Sequence, residues 1–276
     1  MILPNYTGEF SALSALALSF LIGFTPSLLL FGATWWVAKK INNWSIVDVV
    51  WSYGFALLAL PFVFSAITTA TASYHLYAVM IVLWSIRLGT HLGVRVIGHL
   101  DVEDGRYQKM REKWGAATDR KMGIFYLQQA IALTVLMMPF LGSAIFDHTP
   151  ISTIHWAGAG IVAIAMLGEA IADAQLAAFK KDPTNRGKVC ARGLWAWTRH
   201  PNYFCEWLIW VGFALLSWSP ILMGVTGILC AATMYYLLNY VTGVAITEAH
   251  LVQSKGQAYL QYQQQVPAFW PRPPRQ

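Results

Sequence analysis

The chain has 276 residues, of which 57% are hydrophobic and only 12% charged, and its mean hydropathy is +0.47. Soluble domains carry about 25% charged residues, so this composition excludes a soluble globular protein and indicates an integral membrane protein. The formal net charge of +6 would suggest nucleic acid in a soluble chain; here it follows the loops, and no nucleic-acid partner is expected.

The N-terminal stretch MILPNYTGEF has no Lys or Arg. It lacks the basic region of a cleaved signal peptide, and the first apolar run reads as a retained helix. Crossing a bilayer takes about 20 apolar residues. Seven runs meet or approach this: roughly 11–37, 46–67, 74–97, 123–146, 153–178, 203–217 and 220–246. The last two are separated by Ser217-Trp218-Ser219-Pro220, a tight helical hairpin. The expectation is a single all-α domain over 1–276, a seven-transmembrane helix bundle, ending in a solvated PRPPR tail.

Lys39 and Lys40 follow the first run, and Arg106, Lys109, Arg111, Lys113, Arg120 and Lys121 follow the third. Lys180, Lys181, Arg186, Lys188, Arg192 and Arg199 follow the fifth; Lys255, Arg272 and Arg275 follow the seventh. The alternate connections 68–73, 147–152 and 217–219 contain no Lys or Arg. Because cytoplasmic loops carry the positive charge, the N-terminus is expected outside and the C-terminus in the cytoplasm.

Of the 19 basic residues only Arg87 and Arg95 fall within a run, with His91 midway between them on one helical stripe. A charged group near the bilayer centre costs about 3 kcal/mol, so these side chains should face a cavity or a partner. The acidic complement is Asp48 in the second run, Glu169 and Asp173 at i, i+4 in the fifth, Glu206 in the sixth, and Glu248 after the seventh. Ion pairing that is purely structural would also account for such a set. Cys190, Cys205 and Cys230 form no C-x-x-C pair and have no His at metal spacing, so neither a metal nor a disulfide framework is expected. Gly158-Ala159-Gly160-Ile161-Val162-Ala163 matches a dinucleotide fingerprint, but no strand precedes it, and helix packing is the better reading. Gly89 and Gly93 form a G-x-x-x-G, again a signature of close helix approach.

The most informative stretch is 187–210, GKVCARGLWAWTRHPNYFCEWLIW. A basic run enters an apolar helix at Pro201, where a missing N–H costs nothing. It carries Asn202 and Glu206 in at i and i+4, on one helical face. This stretch, with Asp173-Ala174-Gln175 upstream, resembles the membrane steroid 5α-reductase family and its bacterial relatives. W-S-I-V-D-V-V-W (44–51), W-S-I-R-L (84–88), E-D-G-R-Y (103–107) and the ending G-Q-A-Y-L-Q-Y-Q-Q-Q-V-P (256–267) extend the resemblance over nearly the whole chain.

The resemblance implies seven helices and NADPH-dependent reduction of a lipophilic enone, such as a 3-oxo-Δ4-steroid. It implies that 153–270 carries most of the cofactor site, with Asp173, Asn202, Lys180, Lys188, Glu169, Arg199 and His200 holding NADPH. Arg87, Arg95, Arg106 and Tyr107 would join them, with Asp48, Trp51 and Trp84 toward the substrate. Glu206 would activate the substrate carbonyl, since charge develops on that oxygen as hydride adds and a buried neutral carboxyl can donate there. Two positions depart from the family: Trp84 stands where a tyrosine acid is expected, and Val47 where a glutamine is. Glu206 must then donate by itself, or a hydroxyl such as that of Tyr53 replaces the tyrosine. Membrane lipids are expected partners, no obligate protein partner is evident, and a bacterial inner membrane is favoured over endoplasmic reticulum. Two alternatives compete. One is an S-adenosylmethionine-dependent methyltransferase of the isoprenylcysteine type, echoed by R-H-P-x-Y at 199–203 and by Gly256, Tyr259 and Tyr262. The other is a lipid or sterol binder without catalysis.

Overall fold

The computed structural model describes residues 12–65, 73–98, 100–146, 150–218 and 222–273. The N-terminal decapeptide and parts of the connections expected at 68–73, 147–152 and 217–219 lie outside them. The described residues are all-helical, 84% of them in helix, with no strand among them. It forms two compact units, Met1–Ser152 with Ser219–Met223, and Thr153–Trp218 with Gly224–Gln276.

The first unit contains α1 (Ala12–Ile41), α2 (Ile46–Ser65), α3 (Ser73–Ile97), α4 (Gly105–Trp114) and α5 (Thr118–Phe146). α1 packs on α5 and α2 on α3. Small residues set close approaches to α5: a Cβ on Gly23 of α1 would meet Leu141 at 2.8 Å, and one on Gly54 of α2 would meet Leu133 at 2.7 Å. Gly89, expected to mark close approach, lies under the ring of Tyr53, 2.8 Å from where its Cβ would be. Prolines 26, 61 and 139 sit inside α1, α2 and α5. Each removes a backbone donor, a defect that membrane helices tolerate when side chains re-satisfy the freed carbonyls.

The second unit contains α6 (Thr153–Lys181), α7 (Pro201–Leu216), α8 (Leu222–Tyr236), α9 (Val244–Lys255) and α10 (Gln257–Gln265). α6 and α7 form its main helix pair. Gly158 is confirmed as a packing residue: its Cβ would meet Gly212 O at 2.8 Å, while Gly160 has open space around it. Gly158→Val should therefore cost about 1–3 kcal/mol, because backbone cannot yield as a side-chain tip can. Gly160→Ala should be neutral or stabilising by up to about 1 kcal/mol. Thermal unfolding of the two variants in one detergent reads the contrast directly.

Among the described residues, six helical stretches are long and apolar enough to cross a membrane: Ser14–Ile41, Ile46–Val63, Ser73–Val96, Gly105–Ile145, Thr153–Lys181 and Gly224–Lys255. Their outward residues are apolar, with Leu29 70%, Ile164 68% and Leu167 65% exposed. A water-facing surface of that kind would aggregate, so the protein is a multi-pass membrane protein. α7 has 16 residues and rises only about 24 Å, short of the roughly 30 Å hydrocarbon core. The run expected at 220–246 also differs. It gives way at a π-helical turn, Leu237–Val241, and restarts as α9, which continues to Lys255. Gly243 makes the break possible, since a Cβ there would run into the carbonyl of Leu238.

Candidate functional site

In the first unit, the sequence motifs at 44–51 and 103–107 lock onto each other. Asp104 caps α4, its carboxylate accepting from Arg106 N at 3.0 Å, while its own N–H donates to Ser45 Oγ at 2.8 Å. Glu103 accepts from Trp44 N at 2.8 Å and from Arg111 at 3.0 and 3.1 Å. Asp48, at the start of α2, accepts from Tyr107 Oη at 2.8 Å and from Arg106 Nη2 at 2.6 Å. Arg106 also reaches Asp104 through Nε at 3.0 Å, and Arg95 approaches Asp104 at 3.5 Å. Thus Asp48, Arg95, Arg106 and Tyr107 do come together, as a ladder of alternating charge around Asp104. Much of the guanidinium of Arg106 is spent inside that ladder.

Burial opposes ionisation of Asp104, but the hydrogen bonds from Arg106 and the charges of Arg106 and Arg95 outweigh it and hold the carboxyl below the usual range. A depressed carboxylate contributes stability that is present at neutral pH and lost as pH falls below about 4 and through the lowered value. Amide exchange in α4 should accelerate on acidification through that window, and Asp104→Ala should cost about 1 kcal/mol at pH 7 while flattening the dependence.

The expected substrate-side residues of this unit are packed rather than open. Trp84 is fully buried, edge-on to Phe55 at 4.9 Å, and Trp51 meets the same ring at 4.8 Å. Tyr53 is 38% exposed and its hydroxyl lies 2.9 Å from Thr90 Oγ1. Tyr53 belongs to the first unit and Glu206 to the second. Arg87 is half-buried on α3.

In the second unit the reductase-like stretch is built from backbone outward. Gly193 has φ +59° and sits against the Gln175 side chain, where no Cβ fits. Gln175 Oε1 accepts from Leu194 N at 2.9 Å, and Trp195 Nε1 donates to Ala172 O at 2.9 Å. The D-x-Q of α6 and the G-L-W loop are therefore one construction, and it fixes where α7 begins. Asn202 then lies beside Asp173, Nδ2 to Oδ1 3.4 Å. One turn further Glu206 is buried, with Oε1 accepting from Trp210 Nε1 at 3.0 Å. Glu169 is also buried, one turn before Asp173 on α6. Lys180 and Lys188 are exposed and form no ion pair among the described residues.

Arg199 and His200 have different company. Arg199 forks onto Glu248, Nε to Oε1 2.6 Å and Nη2 to Oε2 2.8 Å, while Nη1 donates to the carbonyls of Gln263 and Val266 at 3.0 and 2.5 Å. His200 Nε2 lies 3.1 Å from Glu248 Oε1, and its ring stacks on Tyr203 at 5.3 Å. Tyr259 Oη and Gln263 Nε2 also donate to Glu248, at 3.1 and 2.7 Å, and Tyr262 Oη donates to Trp195 O. Burial pushes the Tyr259 phenol well up, with the Glu248 charge adding to it, and burial does the same to Tyr262. Both remain donors at neutral pH. The expected solvated tail is in fact pinned as far as residue 272: Thr198 Oγ1 donates to Ala268 O and Phe269 O, and Arg272 N donates to Trp197 O. Phe269 and Trp270 close an aromatic cluster with Phe204, Trp207 and Tyr235, with ring centroids 5.1–6.0 Å apart.

Sequence reading did not assign the clamp on Glu248. The available signal was that Glu248 is the sole acidic residue after Glu206. A desolvated Arg199 had nowhere else to turn in that part of the chain.

Fold and site together define a multi-pass helical membrane protein with a polar strip set into an apolar helix. The chain belongs to the family described as "Protein of unknown function (DUF1295)", whose sequence profile matches residues 34–266. An uncharacterized protein of Schizosaccharomyces pombe is 26% identical over 92% of this chain and 80% of its own length. No solved structure matches the chain.

Proposed function

We propose that the protein is an NADPH-dependent reductase of the carbon–carbon double bond of a lipophilic enone, with a 3-oxo-Δ4-steroid as the best first substrate. The observation that supports this most is the strip on α7: Asn202 beside Asp173, and Glu206 one turn deeper, buried and held by Trp210. The residues present fit the cofactor. Lys180 and Lys188 are exposed cations suited to phosphates, and the Asn202 carboxamide suits another amide. When bound, NADPH would supply the hydride. Asp173 orients Asn202, and Trp210 fixes the Glu206 carboxyl so that a proton is held where the substrate carbonyl gains charge. Arg199 and His200 act at a remove: tied to Glu248, they set the entry of α7 rather than meet phosphate.

The same reading takes α7 as a seventh span, with the N-terminus outside and the C-terminus in the cytoplasm of a bacterial inner membrane. A 16-residue helix crosses only where the bilayer thins locally or its ends are capped at headgroup depth. A second reading, a methyltransferase using S-adenosylmethionine, draws on the convergence of Arg199, His200, Tyr259 and Tyr262 around Glu248 and Trp195. Thermal shift of the purified protein separates the two: stabilisation by NADPH is expected, and stabilisation by S-adenosylmethionine without NADPH would reverse the assignment. Oxidation of NADPH on adding progesterone, with a product two mass units heavier, is the expected activity.

A further inference from the structure

An open cleft of ≈230 Å³ between α4 and α5 is lined by Met110, Trp114, Lys121, Ile124, Phe125 and Gln128. It arises from a tight reversal. Gly115 adopts φ +51°, its N–H closing α4 on Arg111 O, and Thr118 Oγ1 donates to Gly115 O at 2.7 Å. The fold-back sets Met110 and Trp114, apolar positions at i and i+4 of an otherwise polar helix, beside α5. The rear wall is stiff, because Phe125 meets the edge of Tyr107 at 6.1 Å and Tyr107 is tied to Asp48. Ile124, at the rim, is 51% exposed.

The mouth is cationic. Between Gly105 and Lys121 the chain carries six basic residues (Arg106, Lys109, Arg111, Lys113, Arg120, Lys121) and two acidic ones (Glu112, Asp119). Arg106 and Arg111 are consumed by Asp48, Asp104 and Glu103, and Asp119 by Lys39. Lys109, Lys113, Arg120 and Lys121 form no ion pair among the described residues. Lys121 Nζ is held 5.7 Å over the Trp114 ring, at the cleft itself. Gln128 lies two helical turns further along α5, about 10 Å from Lys121. A cation at the mouth with apolar walls beside it suits one ligand, an anionic phosphate carrying the start of an acyl chain. The cleft between α1 and α5, of ≈210 Å³ around Gly32 and Gly123, has no cation in its wall.

We propose that the α4–α5 cleft binds an anionic phospholipid, with its phosphate at Lys121 and an acyl chain along Met110, Ile124 and Phe125. Juxtamembrane basic residues attract anionic headgroups by about 1 kcal/mol each, and the cleft adds a shape that a bare patch lacks. This site is independent of the reductase reading. Its test uses full-length protein in mixed micelles with phosphatidylglycerol or phosphatidylcholine, counting retained lipid by native mass spectrometry. Phosphatidylglycerol should be retained at least tenfold over phosphatidylcholine. Lys121→Gln, which removes the charge, and Ile124→Trp, which fills the cleft at constant charge, should each cut that retention at least fivefold. Equal retention of the two lipids overturns the proposal, as does wild-type retention in either variant. Amide exchange over 105–128 supplies a further arm. Protection by phosphatidylglycerol but not by glycerol 3-phosphate is expected; equal protection by both would mean a headgroup site and no lipid cleft.

Discussion

Glu248→Ala should lower stability by about 3–5 kcal/mol, more than the helix-packing change Gly158→Val, because it strands a buried guanidinium. Arg199 has a side chain 10% exposed, and Glu248 provides both carboxylate oxygens to it. The loss does not stop at one pair. His200, Tyr259 and Gln263 each lose the same acceptor, and Tyr259 and Gln263 lie on α10, which Tyr262 also ties to Trp195 O. Arg199→Lys should cost less, about 2 kcal/mol, since an ammonium keeps the charge but cannot fork onto Glu248 and reach two carbonyls. Removing both partners, Arg199→Met with Glu248→Ala, should cost less than the sum of Arg199→Met and Glu248→Ala alone, as no uncompensated charge then remains buried. Unfolding of the four proteins in mixed detergent gives the coupling energy directly. If Glu248→Ala unfolds like wild type, the clamp is ornamental and Arg199 is available for other work.

The spans were legible in the sequence because burial in lipid imposes a uniform demand: apolar length. α1, α2, α3, α5 and α6 begin and end within a few residues of the hydropathy runs. α7, Pro201–Leu216, lies within two residues of the run at 203–217, but α8 was less legible for a physical reason. Hydropathy counts apolar residues and is blind to the backbone. It cannot see that Gly243 lets the chain break after the π turn. At the site, the i, i+4 relation of Asn202 and Glu206 was readable from helical geometry alone, and the structure bears it out. The partnership of Gln175 with Gly193 was latent in the motifs, yet only the fold explains it: a positive φ and a missing Cβ let the amide take that place. The clamp was hidden by sequence distance, with 49 residues between Arg199 and Glu248 and 64 between Arg199 and Gln263. Local pattern carries no information about such pairings. Arg199 stood as a cofactor ligand because the resemblance implied it; in the structure its guanidinium forks onto Glu248.

Glu206→Gln should abolish enone reduction, lowering turnover by at least about 10²-fold, the usual scale for a positioned acid, while NADPH still stabilises the protein. The substitution is nearly isosteric, and the amide oxygen can still accept from Trp210 Nε1 as the Glu206 carboxyl does at 3.0 Å. Stability should therefore shift by less than about 1 kcal/mol, and any loss of rate is chemical rather than structural. Glutamine can offer a hydrogen bond to a carbonyl but has no proton to release, so it separates orientation from acid catalysis. Tyr53→Phe is the complementary variant. Tyr53 pairs with Thr90 at an exposed position, and its loss should leave turnover within about threefold of wild type if Glu206 is the proton source. The opposite outcome, in which Tyr53→Phe is inactive and Glu206→Gln is not, would move the acid to the first unit. Asn202→Ala should behave differently from both. It removes the group beside Asp173, so NADPH stabilisation should weaken along with turnover. Affinity should fall by about 10-fold, the scale of a single neutral hydrogen bond. A cofactor effect at Asn202 and a purely chemical effect at Glu206, one helical turn apart on the same face, is the result that a reductase requires and a lipid binder cannot produce.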